Sequence, residues 1–529
     1  MKFFKKYIVN FLCYSLLLIL GACGDNEGDD LTGDVEGLEL LTDYKPPLYS
    51  DDYSLIADWS RRALWNLANV HDPTVEKCGD YYYMYNTDAS YGNSHSGHGH
   101  FPYRRSTDLV IWEFMGMAMP ETPVWIKDSL NNMRSRLGLP EIDNPVYGHW
   151  APVVKKVGNK YRMYYSIVVD NYIKSGKVNT ASNFDGSWTE RAFIGMMETN
   201  DLGSNIWEDK GMVLCSYSDK GTDWNRISLN DWNGYFKWNA IDPAFIVTPD
   251  NEHWLIYGSW HSGIAAVQLN TETGKPVHKY GEPWDYNAQS YFGETIFTRQ
   301  NGNRWQGSEA PEIIYNEKTG YYYLFIAYDE LSVAYNTRVL RSNNIKGPYS
   351  GDKIITHPYK FNDHSGWVGI SHCCIFRGND DEWYYCSQGR LPANTNGNEY
   401  SNAIMMGHVR KIRWTEDGWP VVLPERYGAV PDIKISEQEI VGTWENITLN
   451  YEYQRLQTST NLMLTADKKA TGAISGEWSW NQANKILTVG SLRLYVEREV
   501  DWEAVPRKHT IVYSGLNSSG QSVWGKKIK

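Results

Sequence analysis

The chain has 529 residues, of which 42% are hydrophobic and 22% are charged. This composition excludes a disordered chain and predicts two or three globular domains. The formal net charge of −12 argues against nucleic-acid binding, which needs clustered Lys and Arg to neutralise phosphates.

The first 22 residues have the pattern of a signal peptide, with three lysines before the apolar run Tyr7–Leu20, which is too short for a comfortable membrane span. The run ends in LGAC, which resembles the lipobox of bacterial lipoproteins and implies that Cys23 is lipidated. The acidic GDNEGDD that follows resembles the surface-export signal of Bacteroidetes lipoproteins. We therefore expect a protein at the surface of the outer membrane that meets the membrane only through its lipid anchor. The alternative is an ordinary signal peptide that ends near a cysteine.

One local pattern recurs five times between residues 71 and 390: a polar start, an apolar strand, a hairpin turn and an aromatic strand. The copies are HDPTVEKCGDYYYMYNTD, WAPVVKKVGNKYRMYYSI, IDPAFIVTPDNEHWLIYGSW, EAPEIIYNEKTGYYYLFIAY and SHCCIFRGNDDEWYYCSQG. Such repetition predicts an all-β fold whose main domain is a five-bladed β-propeller. A β-sandwich with unrelated hairpins would explain the regular recurrence poorly.

The second position of the repeat is the informative one. It is occupied in turn by Asp72, Ala151, Asp242, Ala310 and His372. Proline follows in four of the five copies, and because proline cannot donate to a β-ladder we place it at the first residue of an innermost strand. Position two then lies at one mouth of the central channel in every blade. Since Glu309 comes one residue earlier in the fourth copy, three carboxylates and a histidine are predicted to converge on one pocket.

Carboxylates that lie close together and are buried acquire different pKa values, so one serves as an acid while its neighbour serves as a base. Cleavage of a glycosidic bond needs such a pair, and an inverting enzyme keeps its members roughly 6.5–9.5 Å apart to admit a water molecule.

The motifs HDPTV, NAIDPAF and GSEAPEIIY occur in this order and resemble those of glycoside hydrolase family 43 over about residues 65–425. The resemblance implies a five-bladed propeller that hydrolyses arabinose- or xylose-containing polysaccharides with inversion. It implies that Asp72 is the general base, that Glu309 is the general acid, and that Asp242 orients the acid and raises its pKa.

Two further segments, YGSWHSGI and YDELSVAYNTRVLRSNNIKGPY, resemble the endo-α-1,5-arabinanase branch of the family. This implies arabinan or arabino-oligosaccharides as substrate. GISHCCIF resembles the segment of that branch whose histidine lies beside a channel-bound metal, which implies that His372 is the single protein ligand of a calcium ion whose shell is completed by water. The alternative is a channel-lining histidine that is hydrogen-bonded to a catalytic carboxylate.

Aromatic residues near the starts of the repeats are candidate sugar contacts. They are Trp150, Trp238 and Trp260, together with His261 beside the last of these. For the tryptophans, packing between blades is the alternative. The histidine-rich stretch NSHSGHGH is interpreted as a polar loop at the rim of the cleft rather than as a metal site.

Four segments result: a lipoprotein signal peptide (1–22), an acidic linker (23–45), the propeller (46–430) and a small C-terminal antiparallel β-barrel or sandwich (438–529). The predicted activity is endo-hydrolysis of α-1,5-arabinan by a monomer. The alternatives are an exo-acting arabinofuranosidase or β-xylosidase on the same scaffold, and a non-catalytic glycan-binding lipoprotein. The three retained carboxylates argue against the last, because a binding protein needs no acid–base set.

Overall fold

The computed structural model describes residues 35–51, 56, 58–88, 97–218, 225–231, 236–278, 293–299, 307–331, 334–361, 364, 366–391 and 405–528. Tyr44–Lys529 forms one compact unit, and α1 (Val35–Asp43) belongs to the separate unit that precedes it. The predicted signal peptide and Cys23 lie outside the described residues. Among the described helices, none is both long enough and apolar enough to cross a membrane.

Five four-stranded antiparallel sheets follow one another along the chain, and in each the strands pair in sequence order. A 3₁₀ helix at Trp59–Leu64 precedes blade one, which contains β1 His71–Cys78, β2 Tyr81–Thr87, β3 His100–Ser106 and β4 Glu113–Met119. After α2 (Val124–Arg136), blade two contains β5 Tyr147–Val157, β6 Lys160–Val169, β7 Ala192–Thr199 and β8 Glu208–Cys215. Short 3₁₀ helices lie at Ala181–Asn183 and Leu202–Ser204.

The remaining blades follow the same order. After the small hairpin β9 Tyr217–Ser218 and β10 Phe236–Trp238, blade three contains β11 Ala244–Val247, β12 His253–Tyr257, β13 Ile264–Leu269 and β14 Glu294–Phe297. Blade four contains β15 Ser308–Asn316, β16 Tyr321–Tyr328, β17 Asn336–Ser342 and β18 Ser350–Thr356. After the short β19 (Tyr359–Lys360), blade five contains β20 Cys374–Arg377, β21 Trp383–Gly389, β22 Met406–Trp414 and β23 Pro420–Val422.

The first strand of each blade contacts the first strand of the next, and β20 of blade five contacts β1 of blade one, so these strands form a closed ring. The predicted all-β five-bladed propeller is thereby confirmed. Aromatic and aliphatic side chains fill the space between blades, as Tyr164, Phe245 and Tyr257 do between blades two and three. The polar starts of the repeats therefore lie at the inner ring.

The prediction that the proline is the first residue of the strand was wrong: it lies inside the strand in blades one, two and four, and β11 of blade three begins one residue after Pro243. In blades one, two and four the strand begins before the proline and the register shifts across it, between His71 and Thr74, between Trp150 and Val153, and between Glu309 and Glu312. A bulge leaves one residue outside the ladder, and a proline fits there because it has no N–H to donate.

The C-terminal domain is a closed barrel of eight antiparallel strands, which confirms the predicted small β domain. After α3 (Glu437–Ile440), the strands are β24 Gly442–Thr448, β26 Thr460–Leu464, β27 Lys469–Gly472, β28 Gly476–Asn481, β29 Ile486–Val489, β30 Leu492–Asp501, β31 Lys508–Leu516 and β32 Ser522–Lys527. The short β25 (Gln457–Thr458) pairs in parallel with β19 of the propeller. A shared apolar core, which includes Trp367 of the propeller and Trp524 of the barrel, joins the two domains.

Candidate functional site

The residue at position two of the repeat has a left-handed backbone in all five blades. The φ angles are 49° at Asp72, 45° at Ala151, 51° at Asp242, 52° at Ala310 and 49° at His372. Each such residue other than glycine costs about 1–2 kcal/mol, so the surrounding structure must stabilise the turn.

In three of the five turns, a side chain of a neighbouring blade accepts a hydrogen bond from the backbone N–H. The N–H of Asp72 donates to Gln388 Oε1 of blade five at 2.6 Å, and that of Ala151 donates to Thr87 Oγ1 of blade one at 2.7 Å. The N–H of Ala310 donates to Asp242 Oδ2 of blade three at 3.2 Å. The ring of blades therefore fixes the turns, and the turns present their side chains to the channel.

Asp72, Asp242, Glu309 and His372 line one cavity of about 420 Å³ at the channel mouth. The structure thus brings together the four residues that the repeat alignment selects. Tyr335 and Leu331 of blade four line the same cavity.

Asp72 is held by three donors. His372 Nδ1 and His71 Nε2 lie 2.8 and 3.1 Å from Asp72 Oδ1, and Thr87 Oγ1 donates to Asp72 Oδ2 at 2.7 Å. Burial alone would raise the pKa of Asp72, but the two imidazoles and the hydroxyl outweigh burial and hold it well below its usual range. Asp72 is therefore ionised at neutral pH.

His372 and His71 differ in charge although both contact Asp72. Burial works against a charged His372, yet the carboxylates of Asp72 and Asp242 raise its pKa to about 9. Burial lowers the pKa of His71, so this ring is neutral and acts as a simple hydrogen-bond donor. Asp72 and His372 thus form a buried ion pair at neutral pH.

Glu309 has the opposite electrostatic environment. Burial and the nearby charge of Asp242 raise the pKa of Glu309 to about 8, although the hydroxyl of Tyr335 donates to Glu309 Oε1 at 2.9 Å. Burial likewise raises the pKa of Asp242 to about 6. Near pH 7 the pocket therefore holds an ionised Asp72 and a protonated Glu309, which are the two states that acid–base cleavage of a glycosidic bond requires.

A second cavity of about 850 Å³ adjoins the first, and Trp150, Ile241 and Glu309 line both. Trp150 is 43% exposed, and Trp260 and His261 also line the larger cavity. These three predicted sugar contacts are thus placed along one continuous cleft.

Trp238, the fourth predicted sugar contact, requires a correction. It is only 3% exposed and packs in the core between blades two and three with Tyr257 and Ile241. It lines neither cavity, because β10 directs its ring into this core. Packing between blades, the alternative for the tryptophans, is what the structure shows here.

Several residues of the site carry no local sequence signal. Thr87 ends β2 and Gln388 lies within β21, and only the assembled ring brings them to the turns at position two. Glu312, three residues after Glu309, is paired instead with Lys155 of blade two at 3.1 Å and does not line the cavity with Glu309. This pair spans the channel between blades.

The described residues offer little to a metal at His372. Nδ1 of this ring faces Asp72, so only Nε2 remains as a ligand atom, and water would have to supply the rest of a calcium shell.

The one cluster of three acidic or histidine ligands found in the described part of the chain is Glu425, Asp501 and Glu503, at the junction of propeller and barrel. Lys526 Nζ lies 2.5–3.1 Å from all three carboxylates, so an ammonium group already occupies that cluster.

Two described histidines of the stretch NSHSGHGH, His98 and, at the start of β3, His100, make aromatic contacts. His98 stacks on Trp59 and His100 stacks on His149, with ring centroids 4.0 and 3.3 Å apart. His95 lies outside the described residues.

All five thiols that the structure describes are free, and Cys374 lies directly opposite Cys386 in the sheet of blade five.

The two carboxyl groups at the channel mouth, one ionised and one protonated, form the acid–base pair that glycoside hydrolases use. Residues 67–420 match the model of glycosyl hydrolases family 43, and residues 424–525 match a C-terminal lipocalin-like domain associated with that family. The chain belongs to glycoside hydrolase family 43.

Two curated relatives cover most of the chain. The extracellular endo-α-(1→5)-L-arabinanase of Thermotoga petrophila is 24% identical over 90% of this chain and 96% of its own length. Extracellular endo-α-(1→5)-L-arabinanase 2 of Bacillus subtilis is 22% identical over 89% and 95%. The extracellular exo-α-(1→5)-L-arabinofuranosidase ArbA of Cellvibrio japonicus is 25% identical over 67% of this chain and 86% of its own.

Solved structures support the fold. The crystal structure of the Thermotoga petrophila endo-1,5-α-L-arabinanase superposes with a TM-score of 0.64 at 22% identity, covering 88% of this chain and 99% of that one. The family 43 YxiA protein of Bacillus licheniformis gives the same TM-score, identity and coverage. Both matches extend over propeller and barrel together.

The raised pKa of Glu309 predicts that this residue destabilises the folded protein. When the pKa of a carboxyl is higher in the folded than in the unfolded state, the free energy of unfolding decreases as pH rises above the unfolded-state pKa. The decrease continues until pH exceeds the folded-state pKa. Glu309→Gln should therefore raise the free energy of unfolding at pH 8 by on the order of 3 kcal/mol and leave it unchanged near pH 4. Thermal unfolding midpoints at the two pH values measure the difference.

Glu317→Gln is the matched control, since the side chain of Glu317 is exposed. An equal gain in the two variants, or a gain for Glu309→Gln that persists at pH 4, would contradict the electrostatic assignment.

Proposed function

We propose that the protein hydrolyses internal α-1,5-L-arabinofuranosidic bonds of arabinan with inversion of configuration. The observation that carries this proposal is that one cavity holds Asp72, whose oxygens are bound by His372 and Thr87, and Glu309, which is buried near Asp242; these surroundings lower the pKa of Asp72 and raise that of Glu309. The choice of arabinan is supported by the two relatives that cover most of the chain, both of which are named as endo-α-(1→5)-L-arabinanases.

In this proposal Glu309 is the general acid. It gives its proton to the glycosidic oxygen as the bond to the departing sugar breaks. Its high pKa keeps the proton available at neutral pH, and the Tyr335 hydroxyl fixes the orientation of the carboxyl. Asp242, whose Oδ2 accepts the N–H that follows Glu309, holds the acid in place and supplies the negative charge that raises its pKa.

Asp72 is the general base, which removes a proton from the water that attacks the opposite face of the sugar. His372 and Thr87 hold both of its oxygens, so the carboxylate has one orientation. Because Asp72 keeps its negative charge far into the acid range, the base is ready whenever Glu309 is protonated.

The cleft favours internal bonds over chain ends. The larger cavity continues from the catalytic one past Glu309, and its volume of about 850 Å³ is near the top of the range for small-molecule sites. A chain of several sugars can therefore occupy it. Exo-action, the activity named for the Cellvibrio japonicus relative, is the second candidate, and β-xylosidase activity on the same scaffold is a further one.

We also propose that Cys23 carries a lipid that anchors the protein at the outer-membrane surface. The lipobox-like LGAC and the acidic stretch after it support this. The curated relatives are named as extracellular proteins, which agrees with an outward-facing location.

Calcium at His372 is likewise a proposal, supported by the segment GISHCCIF. To hold calcium, His372 would have to be neutral, because a protonated imidazole has no lone pair to offer; the bound ion would then supply the positive charge beside Asp72 in place of the ring. Every proton transfer described above is made by the chain's own side chains.

Product analysis on linear arabinan tests the activity and its endo mode together. A mixture of arabino-oligosaccharides in the first minutes is expected, because the cleft admits internal bonds. Arabinose as the sole early product would contradict the endo proposal.

Glu309→Ala and Asp72→Ala should each lower kcat at least about 100-fold, the usual contribution of a general acid or base. Rates near the wild-type value in either variant, with Glu317→Ala as the control, would contradict the assigned roles.

The pH dependence of kcat/KM tests the environment of Glu309. Activity needs this group protonated, so kcat/KM should fall as pH rises through about 8. Tyr335→Phe removes a donor that favours the ionised form, so the alkaline limb should move to higher pH. Asp242→Asn removes a neighbouring negative charge, so in its residual activity the limb should move to lower pH. Limbs that stay in place, or that move in the same direction, would contradict this electrostatic account.

Chelation tests the metal. If His372 holds calcium, EDTA should lower the activity of the wild type and added calcium should restore it, whereas the remaining activity of His372→Ala should respond to neither. Wild-type activity that is unchanged by EDTA would remove calcium from the proposal and leave His372 as the charged partner of Asp72.

A further inference from the structure

The loop that joins β24 to β25 in the barrel, residues 449–456, lies against blade four of the propeller beside the cleft. We call it the barrel loop. It ends at β25, whose parallel pairing with β19 ties it to the propeller. Its side chains bind Asp329 and Glu330, which follow β16, and also contact Arg338 and His357.

Segment 329–331 connects the catalytic pocket, the cleft and the barrel through three consecutive residues. Leu331 lines the catalytic cavity and Glu330 lines the larger one. Asp329 faces the barrel, where it accepts a hydrogen bond from the Tyr451 hydroxyl at 2.7 Å. Arg299 Nη1 donates both to Asp329 Oδ1 at 2.7 Å and to the carbonyl of Gly307, two residues before Glu309, at 3.1 Å.

Tyr451 is thus the structural attachment of the barrel loop. Besides its bond to Asp329, its ring lies 5.1 Å from the Arg338 guanidinium and contacts His357 edge-on. The backbone N–H of Glu452 donates to His357 Nε2 at 3.4 Å. These contacts attach the loop to the propeller without involving Tyr453.

Tyr453 has a different environment. Its hydroxyl lies 2.8 Å from both carboxylate oxygens of Glu330, and Gln454 Nε2 donates to the same carboxylate at 2.9 Å. Its side chain is 52% exposed and lines the larger cavity together with Trp150, Trp260 and Glu309. The hydroxyl is therefore fixed while much of the ring remains open to the cleft.

We propose that Tyr453 binds a sugar residue of the substrate at a position remote from the cleaved bond, so that the barrel forms part of the substrate-binding cleft. A ring whose hydroxyl is already hydrogen-bonded loses little conformational freedom when a sugar packs on it, which is the condition for a preorganised contact. The carboxylate of Glu330 beside it is an acceptor for sugar hydroxyl groups.

This inference rests on the proposed function, because it assigns the remote sugar to an arabinan chain. It implies that the barrel favours long substrates. A short oligosaccharide in the 420 Å³ catalytic cavity does not reach Tyr453, which lines only the larger cavity.

The test is calorimetric binding of 1,5-linked arabinotriose and arabinohexaose to the full chain carrying Glu309→Gln, which should bind substrate without cleaving it. In that background Tyr453→Ala should weaken hexaose binding about tenfold, the effect of losing one aromatic contact, and change triose binding less than about twofold. Tyr453→Phe, which keeps the ring, should stay within about threefold of the parent for both ligands.

Arg455→Ala is the control on the same loop, since Arg455 is exposed and lines neither cavity. It should leave both affinities unchanged. Thermal unfolding of each variant shows whether the fold keeps its stability.

These measurements distinguish a failure of the proposed function from a failure of the Tyr453 sugar contact alone. If the Glu309→Gln protein binds neither oligosaccharide, the proposed function is wrong and the inference falls with it. If it binds both and Tyr453→Ala weakens neither, or weakens both equally, only the inference is wrong. If Tyr453→Phe weakens hexaose binding as much as Tyr453→Ala does, the hydroxyl and not the ring is responsible, and the assigned sugar contact is also wrong.

Discussion

The site depends on a left-handed turn that is repeated at the start of the inner strand of every blade. No residue at this turn is glycine, so each copy carries a conformational cost that must be offset by bonds. In three of the five copies such a bond crosses between blades: the N–H of Asp72 donates to Gln388, that of Ala151 to Thr87, and that of Ala310 to Asp242. The geometry of the catalytic groups is therefore a property of the closed ring, and no single blade could maintain it.

Given that placement, the chemistry follows from how charges are distributed among equally buried groups. Burial alone would raise the pKa of every carboxyl in the pocket. Asp72 escapes this because two imidazoles and a hydroxyl bind its oxygens, whereas Glu309 has one hydroxyl donor and the negative Asp242 nearby. Keeping Glu309 protonated near neutral pH lowers the stability of the folded protein, as perturbed groups at active sites commonly do.

The fold and much of the site could be predicted from the sequence because both repeat. Hairpin turns and aromatic strands recur in register, and alignment of the five copies is enough to select Asp72, Asp242 and His372. The prediction of Trp238 as a sugar contact failed because a tryptophan beside a catalytic strand has the same local pattern whether it faces the cleft or the core.

Thr87, Gln388 and Tyr453 could not have been predicted in this way. Each acts on a different blade or domain from its own, and contacts between distant segments leave no mark in local sequence patterns. The bulge at the repeat's proline was also missed, because a bulge and a strand start both leave an N–H unpaired and accept proline equally well.

The central claim is that Asp72 activates water on the face of the sugar opposite to Glu309. Proton NMR during the first minutes of arabinan hydrolysis tests this most directly, by following the anomeric signal of the newly formed reducing ends before they mutarotate. Single-step inversion of an α-linkage predicts that the β-anomer appears first and that the α-anomer grows in later. Initial formation of the α-anomer would show retention and would contradict the roles assigned to both carboxyl groups.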